Sequence, residues 1–205
     1  DGTLKVWDLA SGSAEATLEG HADMVTACAV TPDGRRVVSA SVDGTLKVWD
    51  LASGRVEAIL AGHAGMVTAC AVTLDARWVV SASEDGILKV WDLATGRAEA
   101  PLEGHALGVT TCTVTPDGRR VVSASWDKTL KVWDPASGRA EATLEGHADR
   151  VTACAVTPDG RRVVSASWDK TLKVWMLDVN YIHPTCCLTS RSYHMRHRLS
   201  YPGPR

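Results

Sequence analysis

The sequence repeats itself every 42 residues, and this period constrains the fold more than any other property of the chain. The octapeptide at residues 1–8, Asp-Gly-Thr-Leu-Lys-Val-Trp-Asp, returns slightly altered, so that tryptophan recurs at Trp7, Trp49, Trp91, Trp133 and Trp175. A fixed period of this length marks a stack of supersecondary units, each too small to bury its own apolar faces.

Residues 20–61 show one unit. Val25–Val30 combines small and β-branched residues, which suit a strand buried on both faces. Thr31-Pro32-Asp33-Gly34 has Pro and Gly where a β-turn needs them. Arg35–Ser41 reads as a second strand, Asp43-Gly44 as a tight hairpin and Thr45–Trp49 as a third strand. After a turn at Ala52-Ser53-Gly54, Arg55–Leu60 is a fourth, more polar strand. No stretch has a helical period. The expected fold class is all-β, with a four-stranded antiparallel meander in each repeat. One meander alone is marginal, and radial stacking of several covers both faces.

The pairs Gly20-His21, Gly62-His63, Gly104-His105 and Gly146-His147 each precede a strand. Trp-Asp ends one at residues 7–8, 49–50, 91–92 and 133–134. In these pairs and their spacing, residues 1–176 resemble the WD-repeat (WD40) β-propeller family. The resemblance implies that the strand before each Gly-His is the outer strand of the preceding blade. Residues 1–19 are then the third and outer strands of a partial leading blade. Residues 20–176 hold four repeats, the last incomplete because Met176 stands where Asp belongs. Residues 177–205 are a non-repeat tail, expected to be disordered. Rings in this family usually have about seven blades. The expectation here is therefore an open arc belonging to a longer array, with a ring completed by two chains as the alternative. Unpaired apolar blade faces predict self-association, or contact with the rest of a longer chain.

The family resemblance also assigns a structural network in each repeat: His21, Ser39, Asp43 and Trp49; His63, Ser81, Asp85 and Trp91; His105, Ser123, Asp127 and Trp133; His147, Ser165, Asp169 and Trp175. These sets contain Ser, His and Asp, but four copies on four blades would make an odd enzyme. A chain from Asp to His to Ser to Trp would instead satisfy the polar atoms of a buried histidine and a buried indole.

Because the repeats are nearly identical, their differences are informative. After Gly-His, the third and fourth positions are Asp23-Met24, Gly65-Met66, Leu107-Gly108 and Asp149-Arg150. Before the hairpin Asp stand Val42, Glu84, Trp126 and Trp168, and after it Gly44, Gly86, Lys128 and Lys170. Family resemblance puts these positions on the top face, around the central channel. Exposed Trp beside Lys and Arg has the composition of interface anchors. The expected binding residues for a protein or peptide partner are Asp23, Met24, Val42, Met66, Glu84, Leu107, Trp126, Lys128, Arg150, Trp168 and Lys170. A further departure is Trp78, which stands where other repeats have Arg36, Arg120 and Arg162, near the opposite rim.

Other function classes find less support. Residues 1–176 carry 18 Lys and Arg against 23 Asp and Glu, so the repeats lack the basic footprint of a nucleic-acid binder. No apolar run approaches the roughly 20 residues of a membrane span. Cys28, Cys70, Cys112 and Cys154 recur at the repeat period, as reduced core residues rather than a disulfide framework. An intracellular, cytoplasmic protein is the expectation. Cys186, Cys187, His194 and His197 do not have the spacing of a structural zinc site, and no phosphate-binding glycine loop occurs. No metal or cofactor is therefore expected. A propeller enzyme would need an acid, base or metal cluster at the channel mouth, where only isolated residues such as Glu84 and Asp149 stand. The expected function is a non-catalytic interaction module, by analogy the sensor or scaffold part of a larger signalling protein, with a truncated repeat array that has no selected partner as a further alternative.

Overall fold

A computed structural model describes residues 1–99 and 101–177; the rest of the expected tail, with its Cys and His residues, lies outside the described residues. The described chain is all-β. A leading pair, β1 (Thr3–Trp7) and β2 (Ala14–Glu19), is followed by four antiparallel sheets. The first comprises β3 (Val25–Val30), β4 (Arg36–Ser41), β5 (Thr45–Asp50) and β6 (Arg55–Ala61). The second comprises β7 (Val67–Val72), β8 (Trp78–Ser83) and β9 (Leu88–Asp92). The third comprises β10 (Val109–Val114), β11 (Val121–Ser125), β12 (Leu130–Asp134) and β13 (Arg139–Leu144). The fourth comprises β14 (Val151–Val156), β15 (Arg162–Ser167) and β16 (Leu172–Met176).

Turn chemistry fixes each meander. Asp33 Oδ1 accepts from the Thr31 hydroxyl at 2.6 Å and from the Arg35 N–H at 3.0 Å, while the Gly34 N–H donates to the Thr31 carbonyl. Asp50 Oδ1 accepts from the Ser53 N–H at 2.7 Å and closes the turn between the third and fourth strands. These are Asx-type turns, in which a short side chain replaces a backbone acceptor. In the second sheet the expected fourth strand is reduced to bridges at Leu88–Leu102 and Trp91–Ala98. Pro101 falls between them, and a residue with no N–H is tolerated in a sheet only at an edge.

The described sheets stack in chain order and do not close into a ring. Each seam is an apolar cluster shared by neighbours. Leu46 and Val48 of the first sheet meet Val67, Val79 and Trp91 of the second. Leu130 and Val132 of the third meet Val151 and Val163 of the fourth. Polar bonds repeat alongside. The Thr26, Thr68 and Thr110 hydroxyls donate to the Val67, Val109 and Val151 carbonyls at 2.6–2.7 Å. The Cys70 and Cys112 thiols lie 3.6 Å from the Val38 and Val80 carbonyls of the preceding sheet. Burial pushes the Cys70 and Cys154 thiols up to about 12.

At the two ends of the described stack, large apolar side chains are exposed. Leu172 and Val174 of β16 are 73% and 61% exposed, although their counterparts Leu130 and Val132 are buried. At the other end Trp7 is 54% exposed. One boundary differs from expectation. Leu177, assigned above to the tail, is buried against the fourth sheet, and its N–H donates to the Arg161 carbonyl at 2.7 Å. It occupies the place of Leu51 and Leu93, so the repeat extends one residue past Met176.

Candidate functional site

One end of every sheet carries the Gly-His loop and the hairpin Asp; it is called the upper end here. There, four copies of a buried polar chain recur. In the third sheet Trp133 Nε1–H donates to Ser123 Oγ at 2.8 Å, Ser123 Oγ lies 2.7 Å from His105 Nε2, and His105 Nδ1 lies 2.7 Å from Asp127 Oδ2. The equivalent bonds join Trp49, Ser39, His21 and Asp43; Trp91, Ser81, His63 and Asp85; and Trp175, Ser165, His147 and Asp169, all within 2.7–2.9 Å. A carboxylate only accepts and an indole only donates, so a neutral imidazole with its proton on Nδ1 satisfies every member. Each Asp also accepts from the backbone N–H after the histidine, at 2.9–3.1 Å, which pins the loop to the hairpin.

The local sequence makes room for this chain. Gly104 has φ +149°, and a Cβ there would stand 3.4 Å from Trp133 Cη2, so glycine lets the loop close over the indole. Burial lowers the affinity of His63 for a proton, against the opposing pull of Asp85. Burial would raise the Asp43 and Asp127 carboxyls. Bonds from Thr45 and His21, and from His105 and Thr129, outweigh it and hold both well below the usual carboxylate range. The serine oxygens are enclosed and already engaged by indole and imidazole, so this arrangement does not offer a nucleophile to a substrate.

Two expected outcomes follow from the chain. Asp85→Ala removes acceptors used by His63 and by the N–H groups of Ala64 and Ile87. It should cost about 1–3 kcal/mol of stability, read by urea unfolding, as for donors left unsatisfied on burial. The pH profile has a definite sign. His63 and the network aspartates are all depressed on folding, so their contribution is present above their unfolded values and lost as pH falls. The unfolding temperature should hold near neutrality, decline below about pH 6.5 and fall faster below about pH 4.

The positions that differ between repeats meet above this network. In each sheet a backbone bond joins the loop residue to the one preceding the hairpin Asp. Val42 N–H donates to Met24 O, Glu84 to Met66, Trp126 to Gly108 and Trp168 to Arg150, at 2.9–3.1 Å. In the first pair Met24 is exposed, beside an exposed Asp23, while Val42 is half-buried; the second joins a half-buried Met66 to a half-buried Glu84. The third and fourth come together across a seam. The Arg150 guanidinium lies 5.2 Å from the Trp126 ring centroid and 5.1 Å from that of Trp168. Each contact is within cation–π range. Trp168 is 61% exposed, Trp126 is half-buried and Leu107 lies exposed nearby in sequence.

Gly108 lies outside the expected binding residues, but it seats one of these rings. A Cβ there would stand 3.2 Å from both Trp126 Cε3 and the Glu84 backbone. The available signal was the pairing of the smallest loop residue with the largest hairpin residue. Lys128 and Lys170 follow the hairpin Asp with φ of 73° and 69°, where Gly44 and Gly86 stand in other repeats. A side chain in this left-handed region costs roughly 1–2 kcal/mol, so both lysines are held at strained positions beside the tryptophans.

Among the described residues no group of three or more His, Cys, Asp and Glu side chains is placed to hold a metal ion. Trp78 lies at the lower end, half-buried, with the Arg77 guanidinium 4.6 Å from its ring centroid.

A family model described as "WD domain, G-beta repeat" matches four consecutive segments, residues 12–50, 54–92, 96–134 and 138–176. No curated protein matches the chain.

Proposed function

Because the chain belongs to the WD40-repeat family, whose repeats generally mediate protein–protein interaction and are typically non-catalytic, we propose that its upper end is a recognition surface for a protein partner, centred on Trp126, Arg150 and Trp168. The observation that carries this reading is the single guanidinium shared by two aromatic rings from adjacent sheets. Rigid aromatic side chains and arginine dominate binding energy at interfaces, because they desolvate large areas at small entropic cost. The stacked sheets below provide a stiff support, and the turns above carry the specificity.

The chemistry of the partner follows from charge. Lys128, Arg150 and Lys170 flank the rings, and each aspartate beside a lysine is occupied by its histidine. The partner segment is accordingly acidic and extended, with its carboxylates meeting the three cations and its apolar side chains covering the indoles. Peptide display on the immobilised chain tests this. Selected peptides should be enriched in Asp and Glu, and should lose binding to a Trp126→Ala/Trp168→Ala variant. Peptides that bind wild type and variant equally well would reject the surface.

A further inference from the structure

The lower end of the stack differs in one seam. In three repeats a leucine follows the third strand, and it does two things. The N–H of Leu51, Leu93 and Leu177 donates to the carbonyl of Arg35, Arg77 and Arg161, at 2.7–2.9 Å. Each side chain also packs into the seam with the preceding sheet. In the third sheet this position is Pro135. Proline has no N–H, so the Arg119 carbonyl lacks the donor its counterparts have. Strand β11 shortens to match. Its pairing with β12 begins at Val121–Trp133, whereas the other sheets begin one residue earlier, at Arg36–Asp50, Trp78–Asp92 and Arg162–Met176.

Beside Pro135, the lower end of the seam between the second and third sheets holds a cleft of about 760 Å³. A second departure from the repeat lines the opposite wall: Trp78 of the second sheet, where other repeats have arginine. Pro135 and Trp78 belong to different repeats and meet only because these sheets stack. One borders the space and the other lines it with an aromatic face.

The lining defines what would fit. Val80, Val90, Val114 and Val121 form the apolar interior with Trp78 and Pro135. Three arginines (Arg77, Arg119, Arg120) and four carboxylates (Glu99, Asp117, Asp134, Glu141) surround it. Arg120 Nε is paired with Glu141 Oε2 at 2.6 Å, and Arg77 stacks on Trp78. The excess of one carboxylate repels an anion, and the apolar walls penalise burial of a cation that has no dedicated partner. Its size is that of small-molecule sites, roughly 300–1,000 Å³ with apolar walls and few polar groups.

We propose that this cleft is a binding site for a small, uncharged aromatic molecule that lies against Trp78 and donates a hydrogen bond to the Arg119 carbonyl. The site is separate from the upper-end surface and does not depend on it.

Fluorescence titration of the full 205-residue chain with 1-aminoanthracene, a neutral aromatic amine, tests the site. Saturable binding at one site is expected. Pro135→Leu restores the residue of three other repeats, so it should fold with a raised unfolding temperature and bind about tenfold more weakly or worse. Trp78→Arg, also a residue native to the repeat, should weaken binding similarly. Trp126→Ala/Trp168→Ala should leave it unchanged. Absent or unsaturable binding overturns the proposal. So does undiminished affinity in Pro135→Leu, since the probe would then be reporting the exposed end faces.

Discussion

Trp133→Ala should destabilise the protein by about 3–5 kcal/mol, while Trp7→Ala, the same substitution in the same octapeptide, should cost well under about 1 kcal/mol. Trp133 is fully buried in the seam with the second sheet, and its indole N–H is tied to Ser123. Removing it leaves a cavity and strips one partner from a buried serine. Trp7 ends the leading pair and is more than half exposed. Urea unfolding followed by far-ultraviolet circular dichroism measures both. Equal costs would mean that the octapeptide acts through its own strand rather than through the stack.

The second large effect concerns binding. Trp126→Ala/Trp168→Ala should weaken a selected acidic peptide on the order of a hundredfold or more, with each ring behaving as a hot spot. The guanidinium between the rings makes the losses cooperative. Removing one ring leaves Arg150 stacked on the other, while removing both frees it, so the double variant should lose more than the two single variants together. Isothermal titration of the four proteins gives the coupling, and strict additivity would show that the arginine is not shared in solution. Both rings lie above the core, so unfolding should shift by no more than about 1 kcal/mol.

Much of the fold was legible in the sequence because one unit is written four times. Turn residues such as Thr31-Pro32-Asp33-Gly34 have local requirements, and the strands between them fall within a residue or so of their expected bounds. The polar chain from Trp133 to Asp127 was legible only through family resemblance, since its members are up to 28 residues apart and no local rule connects them. The rim positions stood out as differences between copies. That Arg150 would lie between two rings depended on stacking geometry that no single repeat contains. The effects of Pro101 and Pro135 were not legible for a related reason. A proline within a repeat has little local consequence in the sequence, but here one thins an outer strand and the other borders a cleft in a seam.

The recurring cysteines give each seam its own reporter. Cys70 lies between the first and second sheets, Cys112 between the second and third, and Cys154 between the third and fourth, each beside a carbonyl of the sheet before it. Cys28 occupies the same strand position with no full sheet ahead of it and is exposed. Cys112 is buried and Cys70 and Cys154 are half-buried, and a thiol held in a seam gains reactivity when that seam parts, because desolvation keeps it protonated there. The repeat that builds the stack has thereby placed one thiol at each of three joints, so the order in which those joints loosen can be followed one joint at a time.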